Sequence, residues 1–204
     1  VVKVENTSRN GNALMIFFPV TPGENVSGIG EDVKKGEVVV RSGQSIRPQD
    51  ISLLSACGVL KVGVAKRPTA GVIATGNELA KPYGTPIPGK VFDVNSDTLS
   101  AYVSLYGGKP SCLGIVGDSF EQLRSMIESA SRYDLVILSG GTSVGKMDLL
   151  PDVVASLGEI LFRGVSMRPG GPTTVGLMQG KPVFLLPGFP VASMIAFEVL
   201  VGPT

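Results

Sequence analysis

The rhythm of apolar and polar positions changes about a third of the way along this chain. Residues 1 to about 66 set short apolar runs between turn residues, which predicts β and turn material followed by one short helix. Residues 1–4 and 13–20 read as strands around a polar turn at 6–12. Thr21-Pro22-Gly23-Glu24 is a turn, and 37–40 reads as a further strand. Arg47-Pro48-Gln49-Asp50 looks like a helix start with Pro near N1, and that helix runs through Ser55 to stop at Gly58. From Arg67 onward the pattern becomes alternating strands and helices. Residues 70–74 form a β run that ends in Thr75-Gly76-Asn77-Glu78. Asn95 or Ser96 caps a helix that closes at Gly107-Gly108. Residues 111–116 are a strand, and Asp118 or Ser119 caps a helix to about Arg132. A third strand covers 134–138 and a helix 149–157. Further strands fall at 173–177 and 183–186, and a last helix at 191–201.

Such alternation predicts an α/β fold, a three-layer domain whose mainly parallel sheet is covered on both faces. It follows a smaller, partial β-rich segment with a short helix, so the boundary falls at 1–66 and 67–204. In sheets of this kind ligands bind at the carboxyl ends of the strands. Four loops follow predicted strands and should share one edge: 75–78, 117–118, 139–148 and 187–190.

The densest chemistry lies in Asp134-Leu-Val-Ile-Leu-Ser-Gly-Gly-Thr-Ser-Val-Gly-Lys-Met-Asp148. An apolar run ends in glycines and hydroxyls, the pattern of a buried strand entering an anion-binding turn. Ser139, Gly140, Gly141, Thr142, Ser143 and Gly145 would offer peptide N–H groups to a phosphate. Gly140, Gly145 and Lys146 nearly spell a P-loop, but Met147 stands where that loop needs Ser or Thr for magnesium. A thioether suits a hard cation poorly, so Asp148 becomes the candidate metal ligand. Glu78, Asp93 and Asp118 also sit near strand ends, although each also fits a helix cap or a solvated charge. Magnesium is commonly held by one or two carboxylates plus substrate phosphate, which suits Asp148 with Glu78. Arg168-Pro169-Gly170-Gly171-Pro172 is a stiff turn whose one cation could fork onto phosphate. Pro187-Gly188-Phe189-Pro190 closes a buried strand and opens a helix, with a glycine that could bare backbone to a ligand.

Composition narrows the options. There is no histidine, which excludes Ser-His-Asp and Cys-His catalysis and His-ligated zinc. A net charge of +1 gives no case for nucleic acid. The longest apolar runs are too short or too broken by Pro, Gly and Glu198 to span a membrane. Cys57 and Cys112 stand in apolar contexts and read as buried free thiols, which suits a cytoplasmic setting. The lack of an initiator Met and the end just past a helical pattern lead us to expect a piece of a longer protein.

Taken together, these segments resemble the molybdopterin molybdenumtransferase family, or MoeA family, which includes the E domain of gephyrin. The matching residues are Gly30-Glu31-Asp32, Thr75-Gly76-Asn77-Glu78-Leu79, Asp93-Val94-Asn95-Ser96, Ser139 through Gly145 with Asp148, Arg168-Pro169-Gly170, and Pro187-Gly188-Phe189-Pro190-Val191. The Ser-Gly-Gly loop alone is shared with molybdopterin adenylyltransferases and CinA-like domains; residues 23–59 favour the MoeA type. The resemblance implies a MogA-like molybdopterin-binding domain from about residue 67. It also implies molybdenum insertion into adenylylated molybdopterin, with molybdate as co-substrate, Mg2+ as metal and AMP released. By the same resemblance, Thr75, Gly76, Asn77, Asn95, Ser96, the Ser139–Gly145 loop, Arg168, Pro169, Gly170, Pro187, Gly188 and Pro190 bind substrate. Asp148 and Glu78 serve the metal and the hydrolytic step, and Asp118 is a further catalytic candidate. Asp32 is contributed across a homodimer in this scheme, and a molybdopterin adenylyltransferase is an implied partner. Adenylyl transfer onto molybdopterin and a gephyrin-like scaffold are the alternatives. The chain departs from the family's usual pattern at Asn77 (usually Asp), Arg168 (usually Lys) and Gly171 (often a second Lys).

Overall fold

A computed structural model describes residues 1–82, 85, 87–140 and 149–204. The chain forms two compact units, Val1–Val64 and Ala65–Thr204.

The first unit is built from local turns. β1 (Thr7–Asn10) and β2 (Ala13–Ile16) form an antiparallel hairpin with Asn10 opposite Ala13. The expected polar turn at 6–12 is thus mostly strand, tightened to Gly11-Asn12, while Val4–Asn6 is a 3-10 turn in place of the first expected strand. Residues 37–40 form no strand either, because nothing in this unit pairs with them. Helix α1 (Pro48–Ala56) starts as expected, with Pro at its first turn. Its start is held by Asp50, whose carboxylate accepts the Arg47 N–H at 2.9 Å and the guanidinium at 3.0 and 3.1 Å. Those bonds hold the Asp50 carboxyl below its usual range. No apolar side chain of this unit is fully buried, and Leu14, Met15, Ile16, Phe17 and Phe18 are exposed.

The second unit holds the core. Its elements are β3 (Thr69–Thr75), the two-residue strands β4 (Leu79–Ala80) and β5 (Val91–Phe92), α2 (Asn95–Leu105), β6 (Lys109–Val116), α3 (Phe120–Ser129), β7 (Leu135–Ser139), α4 (Leu149–Leu157), β8 (Glu159–Arg163), β9 (Thr174–Met178), β10 (Lys181–Leu186) and α5 (Pro190–Ala196). A π-helical turn, Phe197–Val201, continues α5. The main sheet has the order β6-β3-β7-β10-β9-β8. β6, β3, β7 and β10 are parallel neighbours, and β9 and β8 add antiparallel edge pairs. The mainly parallel sheet is therefore present, with an antiparallel margin that includes β8, a strand the sequence pattern did not reveal. Glu159–Arg163 is exposed except for Ile160, so it lacks the apolar signal of a buried strand.

The period of two along each strand explains the layers. On β7, Val136 and Leu138 face one side and Ile137 the other; on β10, Val183 and Leu185 oppose Phe184 and Leu186. One face packs on α3 and α4 through Leu123, Ile127, Leu150, Val153 and Val154. The other packs on α2 and the last helix through Leu99, Val103, Ala196, Phe197 and Val201. Cys57 and Cys112 are free, but both are exposed rather than buried. Cys112 lies on β6, one of the two edge strands of the main sheet among the described residues.

At the amino end of the parallel strands, Asp134 ties β3 to β7. Its Oδ2 accepts the Thr69 N–H at 2.8 Å and the Thr69 hydroxyl at 2.7 Å, and these bonds hold its carboxyl below the usual range. A depressed folded value contributes stability that is present above the unfolded value near pH ~3.9 and lost as pH falls through the folded one. Asp134→Asn should therefore weaken the loss of stability on acidification. Urea unfolding near neutrality and in the acid range will check this; an unchanged difference between the two would remove Asp134 from the acid response.

Candidate functional site

Parallel pairing brings the carboxyl ends of β3, β6, β7 and β10 to one edge, and the loops there are tied by backbone bonds. Gly76 N–H donates to Val116 O at 3.1 Å and Gly140 N–H to Leu186 O at 3.2 Å. Thr75 Oγ1 donates to Ser139 O at 3.4 Å. Asn95 Nδ2 donates to Gly188 O at 2.8 Å, joining the start of α2 to the loop before α5.

These loops enclose a cavity of about 770 Å³, within the roughly 300–1,000 Å³ of small-molecule sites. Thr75, Ser139, Gly140, Pro187 and Gly188 come from the strand ends. Glu78, Leu79, Val91, Phe92, Asp93, Val94 and Asn95 come from the segment between β3 and α2, and Pro172, Phe189 and Pro190 complete the lining. Thr75 and Ser139 are buried. Gly140 has φ +110°, and a Cβ there would lie 2.1 Å from Thr75 O. Only glycine allows β3 and β7 to approach this closely at the cavity.

Of the residues expected from sequence, the cavity collects Thr75, Glu78, Asn95, Ser139, Gly140, Pro187, Gly188 and Pro190. Asn77 and Asp118 do not line it, but they bond to each other beside it: Asn77 N–H donates to Asp118 Oδ2 at 3.1 Å. Asp118 therefore does not cap α3, and Ser119, at the cap position, makes no side-chain cap bond either. Ser96 is buried in the first turn of α2. The expected capping of α2 by Asn95 or Ser96 is replaced by Asp93, whose Oδ1 accepts both of their N–H groups at 3.1 and 3.0 Å. A buried carboxylate is stabilised there by two peptide donors at a helix N-terminus. Arg168 and Pro169 are exposed on the turn that leads to Pro172, and Gly170 O accepts the Thr173 N–H and hydroxyl. Asp32 is exposed within the Val1–Val64 unit. Gly141, Thr142, Ser143, Gly145 and Asp148 lie outside the described residues.

Sequence reasoning missed the apolar walls. Val91, Val94 and Phe189 are largely exposed, at 56%, 50% and 81% of their surface, and yet line the cavity. The available signal was an apolar side chain set beside Asp93 or inside Pro-Gly-Phe-Pro, where a turn would need none. Among the described residues no three acids or cysteines cluster as a metal site. Among the described residues, Glu78 is the one exposed acid in the cavity lining. One such group fits a magnesium ion that draws its other ligands from phosphate and water.

A central, mostly parallel sheet between helices, with a cavity at its carboxyl edge, defines an α/β ligand-binding domain. Residues 71–204 match the family described as "Probable molybdopterin binding domain", and residues 1–58 match "MoeA N-terminal region (domain I and II)". The chain belongs to the MoeA family. It is 37% identical to a molybdopterin molybdenumtransferase of Staphylococcus epidermidis over 205 residues, covering 100% of this chain and 49% of that protein. It is 36% identical to molybdopterin molybdenumtransferase 2 of Mycobacterium tuberculosis over 211 residues, 100% of this chain and 52% of that one. The molybdopterin biosynthesis MoeA protein of Pyrococcus horikoshii has a similar fold, with TM-score 0.81, 36% identity, and coverage of 100% of this chain and 51% of its own. The chain thus spans about half the length of the curated relatives it matches.

Gly140→Ala should cost about 1–3 kcal/mol through strain at positive φ, whereas Gly188→Ala, with its nearest neighbour 3.3 Å away, should cost less. Urea midpoints of the two variants give the comparison; equal midpoints would contradict the close approach at Gly140.

Proposed function

We propose that this chain carries the substrate-binding domain of a molybdopterin molybdenumtransferase. It takes adenylylated molybdopterin and molybdate, and yields AMP and molybdenum cofactor. The observation that carries the reading is the cavity itself. It joins a floor of strand-end backbone and hydroxyls, apolar walls and, among the described residues, the exposed acid Glu78, in a chain that matches a molybdenumtransferase along its whole length.

The bond that must break is the phosphoanhydride between the adenylate and the pterin phosphate. An oxygen nucleophile adds to one phosphorus, and the bridging oxygen leaves with the other. Such a reaction depends mainly on positioning and on neutralising the phosphates, which a site without histidine can supply. In this proposal Glu78, with Asp148, holds Mg2+, which when bound would neutralise charge on the anhydride. The glycines that follow Gly140 receive a phosphate through peptide N–H groups, beside the Ser139 hydroxyl, because the Gly140 N–H is already held by Leu186 O. Thr75 and Asn95 hold the cavity floor, Arg168 attracts the anionic substrate, and the Leu79, Val91, Phe92 and Phe189 side chains cover a ring. We extend the proposal to a homodimer to which Asp32 contributes across subunits, and to a cytoplasmic setting in keeping with two free thiols. No helix of the described residues is long and apolar enough to cross a membrane.

Glu78→Gln and Asp148→Asn should each slow AMP release from adenylylated molybdopterin by about a hundredfold, the scale of a lost electrostatic contribution. Magnesium titration of that release will check both, and rates near wild type would take the residue out of the reaction. Formation of adenylylated molybdopterin from ATP and molybdopterin would instead identify adenylyl transfer.

A further inference from the structure

Two loops at the rim of the cavity are fastened to each other by a reciprocal pair of bonds. Asn77 N–H donates to Asp118 Oδ2 at 3.1 Å, and Asp118 N–H donates to Asn77 Oδ1 at 3.2 Å. The first residue follows β3 and the second follows β6. A Cβ added at Gly117 would lie 2.7 Å from Asn77 Oδ1, so the loops meet with no room for a side chain between them. The Lys90 ammonium donates to the Asn77 carbonyl, and Gly76 N–H is already held by Val116 O.

The next residue is Glu78. Its carbonyl accepts the Val91 N–H at 2.9 Å, and its carboxylate lies over Gly76, where a Cβ would come within 2.6 Å of Oε1. The main chain is therefore held on both sides of Glu78, while Glu78 lines the cavity and its carboxylate accepts no hydrogen bond from the described residues. Asp118, by contrast, does not line the cavity, and its carboxylate accepts a peptide N–H. That bond needs an acceptor oxygen and does not need a charge.

We propose that Asp118 is a positioning residue: with Asn77 it forms a clasp that sets where Glu78 presents its carboxylate to the substrate. The inference rests on reading the cavity as the site for adenylylated molybdopterin. An acid or a base at Asp118 would need its ionisable group, which an amide does not supply. A clasp keeps working with an amide oxygen. The side chain at 77 follows the same rule, since Asn77→Asp retains the acceptor for the Asp118 N–H and Asn77→Ala removes it.

The test measures AMP release from adenylylated molybdopterin with magnesium, alongside backbone amide exchange at Asn77 and Glu78. Asp118→Asn should stay within about threefold of wild type, and Asp118→Ala should fall about tenfold or more, as for a group moved off its working position. Glu78→Ala combined with Asp118→Ala should be no slower than Glu78→Ala alone, because a residue that acts only through Glu78 has nothing left to position. Asp118→Asn as slow as Asp118→Ala, or a double variant slower than Glu78→Ala, overturns the proposal. If the wild-type chain releases no AMP and binds no molybdopterin, the functional reading fails by itself. The clasp is then judged by exchange alone: protection kept in Asp118→Asn and lost in Asp118→Ala supports it, and equal exchange in all three proteins overturns it.

Discussion

Parallel pairing of β6, β3, β7 and β10 is the constraint on which the rest of the second unit depends. Parallel neighbours cannot be joined by tight turns, so each connection crosses a face of the sheet and both faces become buried. All four strands then stop at the same edge, where peptide groups no longer have a ladder partner. Some of these groups pair across loops, as Gly76 does with Val116 and Gly140 with Leu186. The remainder of the edge is left open as the cavity floor. Nothing about any single loop would create this site, because it exists only where the ends of β3, β7 and β10 meet the segment before α2.

Within that edge, burial and hydrogen bonding separate three acids that look alike in sequence. Asp93 is buried and accepts two N–H groups at the start of α2, so its charge is balanced by the end of a helix. Asp118 is exposed and bonded to the main chain of Asn77. Glu78 is exposed, and its carboxylate is left open toward the cavity. If the cavity takes the anionic substrate proposed for it, a carboxylate beside that substrate repels it unless a cation comes between them. That electrostatic requirement is why magnesium belongs to the functional proposal.

The two units differ in how much of their structure the sequence could convey. In the second, buried strands such as Val136–Leu138 are apolar on both faces and stand out as continuous runs, and α2 is legible from Asn95-Ser96 at its start; in the first, α1 announces itself through Pro48. β8 was invisible because its residues face solvent, and the order β6-β3-β7-β10-β9-β8 cannot be read from strands taken one at a time. In the first unit, residues 6–12 looked like a turn because Thr, Ser, Arg and Asn favour turns. Cross-strand pairing with Ala13–Ile16 overrode that preference.

By itself the amino-acid order determined the class of fold, the absence of histidine chemistry, and the motifs at the strand ends, because each of these follows from residue type and local spacing. Only the tertiary structure decided that Asp93 caps a helix, that Asp118 reaches Asn77 across 41 residues, and that Val91, Val94 and Phe189 form walls. Those outcomes depend on which chain segments the sheet brings side by side. Period and propensity describe neighbours along the chain and carry no record of neighbours across it.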